Sequence, residues 1–96
     1  MSKTVVLDAG RLGNKEDMSA YMKEIFDLPE HFGKNLDALN DVLSEVNQET
    51  EILLTRENID AICKQKYAYK VLMVLGRAAD ENPDIKIRFA EEDENK

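Results

Sequence analysis

The sequence predicts an α/β fold: one small domain with a three-stranded parallel sheet and about four helices packed on one face. Three observations carry this reading. Short, β-rich segments stand at Thr4–Asp8, Glu51–Thr55 and Ile85–Phe89, and long stretches of helical periodicity separate them. Each intervening stretch is long enough to bring the chain back parallel to its start. Crossovers of this kind are right-handed, which places both helical layers on the same side of the sheet. The 96 residues suit a single domain, and a chain of this size buries roughly two-thirds of the surface it exposes when unfolded. The domain is expected to span residues 1–90, followed by an acidic, disordered tail at 91–96 that has no apolar residue.

Each element has its own signal. Thr4–Asp8 (TVVLD) is short and β-branched and reads as a buried strand. Residues 9–14 hold two glycines and form a loop. Asn14 can cap the first helix, with Glu16 and Asp17 well placed in its first turn. Met18, Met22, Ile25 and Phe26 recur at helical spacing beside Tyr21, up to about Asp27. Leu28–Lys34 is a loop, because Leu28 precedes Pro29 and is biased away from helical backbone. The second helix starts at a cap on Asn35 and runs to about Asn47, with Leu36, Leu39, Leu43 and Val46 pointing inward. Glu51–Thr55 (EILLT) is the second strand. Residues 56–64 form a short helix on which Cys63 joins Ile59 and Ile62 as buried filler. The last helix covers about Tyr67–Glu81, with Ala68, Val71, Leu72, Leu75 and Ala79 on one face. Gly76 lies inside that helix and costs about 1 kcal/mol relative to alanine. Asn82-Pro83-Asp84 is a turn. Ile85, Ile87 and Phe89 then alternate with Lys86 and Arg88, the pattern of a strand with one buried face.

Composition narrows the function classes. A chain that is 43% hydrophobic and 34% charged is a soluble globular protein. Its net charge of −7 argues against nucleic-acid binding, which requires Lys and Arg to displace phosphate counterions. The acid is concentrated: residues 28–55 carry −5 and the tail −3, whereas residues 56–90 carry +2. A basic protein or a cationic cleft is the better-matched partner. The single cysteine excludes an intramolecular disulfide and fits a reducing compartment. No apolar run approaches the roughly 20 residues that span a bilayer, and no signal-peptide core is present. A cytoplasmic protein without membrane contact is expected.

Catalytic constellations are scarce. Gly10, Gly13, Gly33 and Gly76 match no phosphate-loop spacing. One cysteine and one histidine do not make a zinc site, and no cofactor is implied. The remaining feature is the second helix. Asp37 and Asp41 are four apart and share a face, which Asn40 and Ser44 extend, with Lys34 at its edge. Paired like charges cost a few tenths of a kcal/mol, a local violation found more often at functional sites. Four readings stand side by side: a solvated helix face, a site for a divalent metal, a general acid–base pair, and an acidic surface for a cationic partner. Two ligands from one helix are few for Mg²⁺ or Ca²⁺, and no electrophile-stabilising group accompanies an acid–base pair. A carrier domain is disfavoured, because Asn35 stands where the serine of such a domain would precede Leu36.

The same stretch carries a resemblance. Leu28-Pro29-Glu30, Gly33, Asn35-Leu36-Asp37-Ala38-Leu39, Asp41 and Leu43 resemble the loop and second helix of the barstar family, intracellular inhibitors of barnase-like, guanyl-specific ribonucleases. The order of elements and the Asp84-Ile85-Lys86-Ile87 segment extend a weaker likeness over nearly the whole chain. The resemblance implies a non-catalytic inhibitor whose loop and helix plug a cationic active site, and the free protein is expected to be a monomer. It implies that Asp41 mimics a phosphate, that Asp37 is a second acidic contact, and that Asn35 and Gly33 lie at the corner of the interface. Three positions depart from the family pattern. His31 stands where the family has an aromatic residue, Asn40 where it has tryptophan, and Arg77 where it has an acidic contact on the last long helix. The alternatives kept beside inhibition are an adaptor of the same fold that binds another basic protein, and a small divalent-metal carboxylate enzyme.

Overall fold

The computed structural model describes residues 3–26, 28 and 35–90. In chain order these form β1 (Lys3–Val6), a 3₁₀ turn (Ala9–Arg11), α1 (Lys15–Phe26), α2 (Leu36–Leu43), β2 (Thr50–Thr55), α3 (Arg56–Cys63), α4 (Lys66–Glu81) and β3 (Ile85–Ala90). The predicted α/β fold is present. β2 is central and pairs in parallel with β1 on one side and β3 on the other. Val5, Ile52 and Ile87 share one register row.

The helices cover one face of this sheet. Ile52, Leu54 and Ile85 on that face are about 1% exposed, and they pack with Leu39, Leu43, Ile62, Val71 and Leu75 in a single core. The opposite face is open. It carries the ion pairs Arg88–Glu51 at 2.8 Å and Lys86–Glu49 at 3.2 Å, and Val6 there is half exposed. The long parallel crossovers impose this one-sidedness, because each returns over the same side of the sheet.

Polar side chains fasten the elements to one another. Asn14 caps α1, its Oδ1 accepting the Asp17 N–H at 2.8 Å. Tyr21 of α1 is buried. Its hydroxyl accepts the Asp8 N–H at 2.9 Å and donates to the Val6 carbonyl at 3.3 Å. Burial, more than any neighbouring charge, pushes the Tyr21 phenol above its ordinary pKa. The Arg11 guanidinium lies 4.7 Å over the Tyr21 ring and donates to Glu24 at 2.7 Å. Asn58 of α3 accepts the Ala9 N–H at 2.9 Å and donates to Thr55, so the ends of β1 and β2 are tied together.

Four expectations need correction. Cys63 is exposed, not buried filler. The inward seam of α3 runs through Ile59 and Ile62, and Cys63 is the last helical residue, where the chain turns away towards α4. β1 is an edge strand with alternating exposure, and it ends at Val6. β3 has a buried face only at its start: Ile85 is covered, Ile87 half covered, and Phe89 is 73% exposed. β3 is also an edge strand, and Phe89 lines an open groove beside α4. Finally, α2 ends at Leu43, short of the expected Asn47. The expected loop at residues 29–34 and the tail at 91–96 lie outside the described residues.

The end of α2 is also held from outside the helix. The Asn82 side-chain amide, from the α4–β3 turn, donates to the Leu43 carbonyl at 2.9 Å and to the Val46 carbonyl at 3.0 Å. Its Oδ1 accepts the Asp84 N–H at 2.9 Å. Two carbonyls at the end of α2 are thereby satisfied from outside the helix. Asn82→Ala is expected to lower stability by about 2 kcal/mol, because it removes the hydrogen bonds to Leu43, Val46 and Asp84 together. Urea unfolding of the variant beside the parent protein measures that loss.

Candidate functional site

α2 is defined at both ends by its own polar residues. Asn35 has extended backbone, and its Oδ1 accepts the Ala38 N–H at 2.7 Å. This is an N-cap, an interaction generally worth about 1 kcal/mol. At the other end Ser44 donates its N–H to the Asn40 carbonyl at 3.2 Å and its Oγ to the Asp41 carbonyl at 2.6 Å. Between the caps, Leu39 and Leu43 are wholly buried, and α2 packs against α4. The opposite side of the helix is therefore turned to solvent, and it carries Asp37 and Asp41, both exposed.

The two carboxylates differ in their local electrostatics. Asp37 sits in the first turn, where the helix dipole favours negative charge. Asp41 sits in the last turn, where the dipole opposes it. Among the described residues neither side chain takes part in an ion pair. The Asp41 carboxylate thus has no stabilising role in the described fold and two unfavourable neighbours, Asp37 and the carbonyl end of the helix.

The remaining predicted residues fall into three places. Asp37, Asn40 and Arg77 line one groove of about 1190 Å³ between α2, α4 and β3. Asn40 and Ser44 also border a smaller notch of about 300 Å³ with Glu81, Asn82 and Pro83. Asn40 is half buried, so it leans towards α4 instead of standing on the solvent face with Asp37 and Asp41. Asp41 lines neither depression. Arg77 is exposed on α4, and among the described residues it forms no ion pair. His31 and Gly33 lie outside the described residues. Among the described residues no group of three or more His, Cys, Asp or Glu gathers as a metal site, and no helix is long and apolar enough to cross a membrane.

Sequence reasoning missed part of the groove wall. Met73 is 58% exposed and Phe89 73% exposed, and both line the groove, with Gly76 between Met73 and Arg77 along α4. Met73 is legible in the sequence as an apolar residue off the inward stripe of α4. Phe89 is not, because strand alternation alone assigns it to the covered face.

The local electrostatics give a stability signature. Asp41→Asn is expected to leave stability unchanged within about 0.5 kcal/mol or to raise it. Asp37→Asn relieves the same repulsion but gives up a favourable place at the helix start, so it should be the less stable of the two variants. Paired urea titrations separate the two cases.

No curated protein matches this chain. The family model described as Barstar (barnase inhibitor) does match, over residues 2–92. The matched span takes in every strand and helix described above, together with both depressions. With nearly the whole of its 96 residues covered, the chain belongs to the barstar family.

Proposed function

We propose that this protein is a non-catalytic inhibitor that plugs the cationic active site of a secreted or toxin guanyl-specific ribonuclease and so protects the cytoplasm of the cell that makes it. The observation that carries the reading is the exposed Asp37–Asp41 pair on a capped, well-packed helix, in a chain of the barnase-inhibitor family. A ribonuclease cleft holds RNA through Arg and Lys donors, and a carboxylate can satisfy the same donors bidentately. A carboxylate presented on a rigid helix meets them with little ordering cost. Asp41 is the anchor of the plug by its family position, and its exposed carboxylate is free of any ion pair among the described residues. Asp37 stands beside it, Asn35 and Ser44 hold the ends of the helix, and Asn40 and Arg77 border the contact on the α4 side. By their family positions His31 and Gly33 are assigned to the same partner. The free protein acts as a monomer.

The test is inhibition. The purified protein is mixed with a panel of guanyl-specific ribonucleases, and RNA cleavage is followed at stoichiometric concentration. Inhibition of any member supports the reading; failure across the panel favours the adaptor alternative. With a nuclease that binds, Asp41→Ala should weaken the complex by at least about 2 kcal/mol, the general definition of a hot spot, for which barnase–barstar is itself a standard example. An unchanged dissociation constant in calorimetry would sink the plug. The association rate should fall as salt rises, since the Debye length shrinks from about 10 Å at 0.1 M to about 3 Å at 1 M. A salt-independent rate in stopped flow would contradict steering by the acidic face.

A further inference from the structure

Gly76 is a helix-interior glycine whose cost the fold does not explain. It lies in the second half of α4 and is exposed, and among the described residues a Cβ added there would meet nothing within 4 Å. Neither a close contact nor a left-handed backbone requires glycine at this position. It does line the groove between α2, α4 and β3. A glycine in an open groove gives another backbone room to approach closely. The neighbouring groups define what would fit. Arg77 forms no ion pair among the described residues, although Asp37, Asp80 and Glu81 line the same groove. The other two cations at the groove, Lys86 and Arg88, are engaged with Glu49 and Glu51. Met73 and Phe89 supply exposed apolar surface.

We propose that this groove is a second contact region of the inhibitor, receiving a segment of the target ribonuclease that runs over the bare backbone of Gly76 and brings a carboxylate to Arg77 and an apolar side chain to Phe89 and Met73. The inference rests on the inhibitor reading above. Asp37 and Asn40 line the groove, so it continues directly from the acidic face of α2. The cation on α4 then attracts an acidic feature of the target beside its cationic cleft. Such a pairing gives specificity through charge, because a nuclease lacking that carboxylate meets an unpaired guanidinium.

The experiment uses the full chain and a ribonuclease from the panel that the parent protein binds. Calorimetry gives dissociation constants for Gly76→Ala, Arg77→Glu, Phe89→Ala and Asp41→Ala, and melting curves are recorded for each free protein. Gly76→Ala should melt higher than the parent, because alanine is the better helix former, yet bind at least about tenfold more weakly. Arg77→Glu and Phe89→Ala should also bind at least about tenfold more weakly. Unchanged binding by Gly76→Ala, or tighter binding by Arg77→Glu, overturns the groove contact. If Asp41→Ala alone weakens the complex, the plug stands and the groove contact falls. If no ribonuclease binds the parent protein, both fall. Two further results assign the groove to the chain itself and overturn the proposal: tighter nuclease binding by a chain ending at Ala90, or a concentration-dependent dimer that Phe89→Ala dissociates.

Discussion

The side chain of Asn82 reaches from the turn between α4 and β3 into the end of α2, and the arrangement of the acidic surface depends on it. Its amide donates to the carbonyls of Leu43 and Val46, while its carbonyl oxygen receives the Asp84 N–H. One buried side chain therefore closes a helix and shapes the turn into the last strand. α2 has only eight residues, too few to hold its conformation alone in water. Its order comes from Leu39 and Leu43 in the core, the Asn35 cap and this external clamp. A helix held on three sides is a stiff platform, and stiffness in the free state is what reduces the ordering cost of binding.

On that platform, charge is placed against local preference. Asp41 lies at the helix end where the dipole disfavours it, one turn from another aspartate. The exposed ion pairs elsewhere, such as Arg11–Glu24 and Lys64–Asp60, follow the ordinary pattern of opposite charges brought together. Gly76 departs from local preference in the same way, by a different route: an exposed helical position gives up propensity with no packing gain among the described residues. Asp37 joins these two departures in space, since it stands on α2 beside Asp41 and also lines the groove with Gly76 and Arg77.

Much of this architecture is legible in the residues themselves. The strand and helix order, the caps at Asn14 and Asn35, the inward stripes of α1 and α4 and the Asn82-Pro83-Asp84 turn all follow from short-range rules. The readings of Cys63 and Phe89 failed for a shared cause. Both sit where period alone makes them inward, but each is at the end of its element, beyond the reach of the layer that should cover it. Period assigns a side; it does not say how far the covering layer extends.

The amino-acid sequence by itself determined the α/β class, the parallel crossovers, the core-facing stripes apart from Cys63 and Phe89, and the acidic face carrying Asp37 and Asp41. These depend on spacing along one element, which the chain encodes locally. Only the tertiary structure added the outside clamp on the end of α2, because it comes from Asn82, 39 residues away from Leu43. Only the tertiary structure brought Arg77, Gly76 and Phe89 beside Asp37 and Asn40, because that groove exists between a helix, a second helix and an edge strand. Proximity between elements is set by how the whole core packs, and no local pattern records it.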